Sequence, residues 1–157
     1  MIKLNLIEKV LYFLLFYVIH RYQKKYLSKL YTFYTIRRCG RVGKRLTVNG
    51  KVTGINRLIS FGDYCNLNPN AHFLGGGAIK IGDYFHTGEN LTIITQNHDY
   101  DQGDAIPYSG YIKEPVEIKN FVWLGHNVTI MPGVTVGEGV IVAAGSIVTK
   151  DVPDFAI

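Results

Sequence analysis

Acidic residues are nearly absent from the first third of this sequence. Residues 1–62 hold 13 Lys/Arg and a single acid, Glu8, a local charge of +12. Residues 63–157 hold 4 Lys/Arg and 11 acids, a charge of −7. A basic first third on an acidic body implies an anionic partner surface. The aromatics of that third sit in an apolar segment, so a membrane and not nucleic acid is expected. Cysteine is scarce as well, with only Cys39 and Cys65. Two cysteines make no disulfide framework and fit a reducing compartment, so a cytoplasmic location is expected. No cysteine pair has the spacing of a zinc site.

A membrane-spanning run is missing too. "VLYFLLFYVI", Val10–Ile19, is an apolar run of ten, where a spanning helix needs about 17–25 residues. "HRYQKKYLSK" follows it with no small-residue cleavage site, unlike a secretory signal. Leu4, Ile7, Leu11, Leu14 and Leu15 recur at helical spacing, and Tyr12, Tyr17, Tyr22 and Tyr26 suit an interface. The pattern predicts an in-plane amphipathic helix with a Lys/Arg flank, peripheral at the inner face of the cell membrane. Each basic residue would add about 1 kcal/mol near an anionic leaflet. The alternative is a helix packed on the protein's own body or on another subunit.

What the sequence does have is a six-residue beat. Ile118, Leu124, Ile130, Val136, Val142 and Val148 are each six residues after the last. Four residues after each stand Val122, Val128, Val134, Val140, Ser146 and Val152. Period six is neither helical nor plainly β, and short fixed-period repeats signal a solenoid. Phe61, Leu67 and Phe73 start three earlier hexads. Ile81, Thr87 and Ile93 start three more, after a two-residue slip at Gly75–Gly77. Three hexads make one triangular coil, which predicts coils at 61–78, 81–98, 118–135 and 136–153, with a less regular start near Val48. Strands of successive coils should stack about 4.8 Å apart. An open solenoid end needs a cover, and the N-terminal helix is a candidate for it. The domains expected are a helical, basic segment over 1–45 and a solenoid over 46–157 with an inserted loop at 99–117.

"IGDYF", "TQNHDYD" and "VWLGHNVTIMPGVTVGEGVIVAAGSIVTKDVP" resemble the hexapeptide-repeat acyltransferases. The galactoside/maltose acetyltransferase and polysaccharide O-acetyltransferase groups are the nearest in pattern. The resemblance covers roughly residues 48–157. It implies an all-β solenoid, a left-handed parallel β-helix, usually a homotrimer with active sites between subunits. The left hand is implied by the resemblance alone, because the general crossover rule points the other way.

The beat breaks between the hexads of Ile93 and Ile118. "NHDYDQGDAIPYSGYIKEPV" holds His98, Asp99, Tyr100, Asp101, Asp104 and Pro107, and a long loop leaving a rigid wall is a normal place for function. Acyl transfer to a hydroxyl needs a base, and imidazole suits neutral pH. The resemblance implies that His98 is that base. In the hexad frame His72, His86 and His98 all take the outward sixth position, so the frame alone does not single out His98. These three fall on different corners, and no histidine pair has the His-x4-His spacing of the hexapeptide carbonic anhydrases, so no metal is expected.

The resemblance also implies acetyl-CoA as acyl donor, held by His126, Ala144, Thr149 and Lys150 with Trp123 and Gly145 nearby. His126 and Ala144 are eighteen residues apart and should stack at one corner. Ala144 and Gly145 leave backbone bare for a pantetheine arm, and Lys150 suits a phosphate. Tight corners also require small residues, so that role stands beside the functional one. Asn68, in "CNLNPN", resembles an acceptor- or donor-side asparagine, while the residues themselves favour a turn asparagine; Asp99, Tyr100 and Asp101 are the other candidates for holding the acceptor. Members of that family usually continue past "DVPDFAI" through a Gly-Asn-Pro-Ala-like segment and a basic tail that help grip CoA, so either a truncated form or looser cofactor binding is expected. Three functions follow: an O-acetyltransferase of a sugar hydroxyl in surface polysaccharide or glycolipid synthesis, an acetyltransferase of a soluble small molecule, or a non-catalytic trimer module.

Overall fold

The computed structural model describes residues 6–101 and 110–157. A single long helix, α1 (Leu6–Arg38), leads into a parallel β-solenoid of about five turns. Numbered along the chain, its strands fall on three faces. The first face stacks β1 (Arg41–Val42), β4 (Ile59–Phe61), β7 (Ile79–Ile81), β12 (Val116–Ile118) and β15 (Thr135–Val136). The second stacks β2 (Thr47–Val48), β5 (Asn66–Leu67), β8 (His86–Thr87), β13 (Trp123–Leu124) and β16 (Ile141–Val142). The third stacks β3 (Val52–Thr53), β6 (Ala71–Leu74), β9 (Thr92–Ile94), β14 (Thr129–Ile130) and β17 (Ile147–Val148). The wall already includes Arg41, so the first coil begins earlier than Val48.

The hexad beat places the core. Position one of each hexad points inward and stacks on its counterpart: Phe61 pairs in register with Ile81, Ile81 with Ile118, and Ile118 with Val136. Leu124 pairs with Val142 and Ile130 with Val148, so the eighteen-residue period holds through the last two coils. The slip at Gly75–Gly77 appears as a twenty-residue offset, with Asn66 opposite His86 and Phe73 opposite Ile93. Position five fills the corners from inside, and Cys65, Phe85, Val122 and Val140 are all buried in one such column. Each fully buried Val, Leu, Ile or Phe contributes about 1.5–3 kcal/mol. Burial pushes the Cys39 thiol up to about 11, against a smaller lowering by the Arg57 charge.

Corners demand a left-handed backbone, and side chains offset its cost, which is about 1–2 kcal/mol for a residue with a Cβ. At one corner Asn70, Asn90 and Asn127 have φ of 63°, 61° and 56°. Their carboxamides form a ladder: Asn70 Nδ2 donates to Asn90 Oδ1 at 3.1 Å, and Asn90 Nδ2 to Asn127 Oδ1 at 2.8 Å. At another corner Tyr64, Tyr84 and Phe121, all with positive φ, stack with centroids 5.0 and 4.9 Å apart. Beside them the Asp83 carboxylate accepts the Asp63 N–H, and Asn120 Oδ1 accepts the Asp83 N–H. Aromatic stacking contributes about 0.5–1.5 kcal/mol per pair.

The second half of α1 covers the first coil. Ser28, Tyr31, Thr32, Thr35 and Cys39 recur at helical spacing and form the inward side. Val48 lies on the edge strand β2, where its backbone groups face no further coil. Thr32 Oγ1 accepts the Val48 N–H at 2.9 Å, and Ser28 Oγ donates to the Val48 carbonyl at 2.8 Å. One turn of helix thus supplies both partners that a missing strand would have supplied. The expected cover is present. The first half of α1 differs from expectation: Val10–Ile19 are all exposed, on every side of the helix, so the apolar surface is a belt and not a stripe.

Replacing Ser28 with Ala and Thr32 with Val together should cost about 2 kcal/mol in urea unfolding, roughly 1 per lost bond. Tyr22→Ala, on the exposed half, should change stability by less than about 0.5 kcal/mol.

Candidate active site

The wall is interrupted at the corner between the third and first faces. Thr95, buried, is the pivot: its Oγ1 donates to the Leu74 carbonyl at 3.1 Å and accepts the Gly77 N–H at 3.1 Å. The chain then leaves the wall as an antiparallel arm of β10 (Gln96–His98) and β11 (Tyr111–Lys113), with His98 opposite Tyr111. The hexad frame counted 96–98 as wall and 116–117 as loop. The structure reverses both, because Thr95 closes the third face and Val116 re-enters the first face beside Ile79. Asp104 and Pro107 lie outside the described residues.

His98 is half-buried. Its ring meets the Tyr111 ring at 4.7 Å between centroids, tilted by 40°. Its backbone N–H is taken by Asn97 Oδ1 at 3.0 Å. Its Nδ1 is sealed from solvent, with no hydrogen-bond partner among the described residues. The other ring nitrogen, Nε2, is not among the sealed, unpartnered atoms. A sealed ring nitrogen is costly to leave unpaired. Asp99 N–H donates to the Gly110 carbonyl at 3.1 Å, and Asp101 N–H donates to Asp99 Oδ1 at 3.3 Å. Tyr100 and Asp101 are exposed beside them.

The residues expected to hold the donor lie on the last two coils. His126 and Ala144 stack as expected: the His126 carbonyl accepts the Gly145 N–H at 2.8 Å, and a Cβ at Gly125 would sit 2.6 Å from Ala144 N. His126 Nδ1 accepts the Glu89 N–H at 3.1 Å, which fixes its ring. Gly145 has φ +78°, and nothing lies within 4 Å of where its Cβ would be. Trp123 is exposed on the second face between His86 and Ile141. Thr149 and Lys150 are exposed just past β17. They share the arm's corner, two coils from it or about 10 Å along the axis. His126, Ala144 and Gly145 lie at the opposite edge of the third face. A single chain therefore brings His98 together with Asp99, Tyr100 and Asp101, but not with the Gly145 corner.

Asn68 is occupied within the wall. Its Nδ2 donates to the Thr87 carbonyl at 2.7 Å, and its Oδ1 accepts from Asn49 Nδ2 at 3.0 Å. That favours the turn role over substrate contact. His72 sits on β6, with Nδ1 2.8 Å from Thr53 Oγ1, and His86 sits on β8. Among the described residues no three His, Cys, Asp or Glu converge. Tyr111, whose ring packs on His98, was not singled out from the sequence.

Comparison with known proteins agrees with this geometry. The family model for bacterial transferase hexapeptide (six repeats) matches residues 115–150. A maltose O-acetyltransferase from Clostridium difficile 630 is 30% identical with a TM-score of 0.72, over 87% of this chain and 79% of that one. A hexapeptide-repeat acetyltransferase from Vibrio cholerae O1 biovar eltor, complexed with acetyl coenzyme A, is 31% identical with a TM-score of 0.67, over 76% of this chain and 66% of that one. The galactoside O-acetyltransferase of Lactococcus lactis subsp. lactis is 34% identical over 99 residues, 63% of this chain and 47% of the relative. A parallel solenoid on a six-residue beat with one inserted arm defines the class of hexapeptide-repeat transferases. This chain belongs to that family. It spans about half the length of the curated relatives it matches.

Gly125→Ala should drive its new methyl into the Ala144 backbone and destabilise the last two coils by about 1–3 kcal/mol. Calorimetry reads this as a lower Tm, and an unchanged Tm would show that the coils stack more loosely than described.

Proposed function

We propose that this chain is an acetyl-CoA-dependent O-acetyltransferase acting on a sugar hydroxyl, in surface polysaccharide or glycolipid synthesis, and that it works as a homotrimer. The observation that carries the reading is His98, held at the root of the arm with its Nδ1 sealed. Nε2 takes the proton of the acceptor hydroxyl as that oxygen attacks the thioester carbonyl. The same nitrogen returns the proton to the departing thiolate, so no covalent acyl-enzyme is required. Acetyl-CoA supplies the activated acyl group. The residues present fit it: the bare flank at Gly145 suits a pantetheine arm, and Lys150 suits a phosphate. Trp123, His126 and Ala144 complete the strip at the Gly145 corner, Thr149 stands with Lys150 at the opposite edge of the third face, and backbone N–H groups along the strip would stabilise the developing oxyanion.

The split between His98 and the Gly145 corner supports a site shared by neighbouring copies, each giving one half. Tyr100, Asp99 and Asp101 would receive the acceptor: an aromatic face and carboxylates suit a neutral sugar, and they disfavour a strongly anionic one. Relatives named for galactoside and maltose support a sugar.

Thiol release from acetyl-CoA, measured over free sugars and glycan acceptors, tests this reading. Wild type should turn over at least one sugar, and His98→Ala should lower kcat/KM by about 10²–10⁴ with Tm unchanged. Full activity in His98→Ala would refute the role.

A further inference from the structure

We infer that the outer half of α1 docks the protein on an anionic lipid leaflet, with the belt Val10–Ile19 dipping into that leaflet. The inference stands apart from the acetyl-transfer reading. Every residue of Val10–Ile19 is 46% to 67% exposed. Ten successive helical residues run through nearly three turns, so this exposure is apolar on all sides. A helix that is apolar all round belongs in a core or in lipid, yet among the described residues none of this stretch belongs to the core or packs against it. The inner half of α1 is held to the first coil through Ser28 and Thr32, which keeps the belt projected away from the body.

Length limits what the belt can do. It is about 15 Å long, against a hydrocarbon core of about 30 Å. Among the described residues no helix is long and apolar enough to cross a membrane. The belt therefore enters one leaflet.

Charge selects the occupant. Arg21, Lys24, Lys25 and Lys29 follow the belt directly and are exposed, and no acid stands between Glu8 and Asp63. Tyr22 and Tyr26, 70% and 65% exposed, lie among these cations, where amphipathic rings suit the headgroup layer. A second copy of α1 would bring this cationic stretch against its own like, whereas anionic headgroups neutralise it.

The test floats the full chain with phosphatidylcholine vesicles containing about 30% phosphatidylglycerol, and with phosphatidylcholine alone. Wild type should float with the anionic vesicles, and Lys24→Glu with Lys25→Glu should weaken partition at least about tenfold. Leu14→Asp with Leu15→Asp should abolish flotation while the urea midpoint stays that of wild type, because the belt touches no core residue. Light scattering in lipid-free buffer should give all three proteins one molar mass. The inference is overturned if wild type stays unbound, if the Asp variant floats as wild type does, or if the Asp variant has a lower mass. That last result would mean that a second copy covers the belt.

Discussion

The hydrogen bonds running from coil to coil are the interaction on which the rest of this molecule depends. Its strands are mostly two or three residues long, so no coil could hold itself together. Each takes its bonds from the coil above and the coil below, as when Trp123 N–H donates to the Val140 carbonyl and His86 N–H to the Val122 carbonyl. This axial bonding fixes the period. It also explains the side-chain ladders at the corners, which keep the coils in line where the backbone turns left-handed. At the open end, where there is no further coil, Ser28 and Thr32 of α1 stand in for it.

The same constraint turns a break in the beat into a candidate site. A wall this regular has its inward positions filled by aliphatics and its corners filled by small or ladder-forming residues. Chemistry needs a place where the pattern is suspended, and Thr95 provides one by closing the third face and releasing the arm. His98 is then set by strand pairing with Tyr111 and not by the wall. The strip from His126 to Gly145 is set wholly by the wall. These two halves lie at opposite edges of one face, which is why a second copy enters the account.

Much of the fold was legible because the inward side chains repeat every six residues. The slip at Gly75–Gly77 could be read from the shift between Phe73 and Ile81, and it returned as the register of β4 on β7. The arm's root was misread because the hexad count was carried on from Ile93, although Asn97 falls at position five, where Phe85, Leu91, Val122 and Val128 bury apolar side chains. The helix was misread for a related reason: Ile7, Leu11, Leu14 and Leu15 do share a face, but Tyr12, Phe13, Phe16, Tyr17 and Val18 make the other sides apolar too. Asn68 shows the limit of reading a site by resemblance. Its residue type fits a substrate contact, but its two amide atoms already serve Thr87 and Asn49, which only the register of the coils reveals.

The central claim is that neither edge of the third face suffices alone and that two copies must meet. Complementation tests it most directly. His98→Ala chains and Gly145→Trp chains, each inactive, would be unfolded together, refolded as mixed assemblies and assayed for acetyl transfer. A shared site predicts recovery to about one quarter of wild-type activity in a random equal mixture, since that fraction of interfaces would join two intact halves. No recovery in assemblies shown to contain both chains would contradict it.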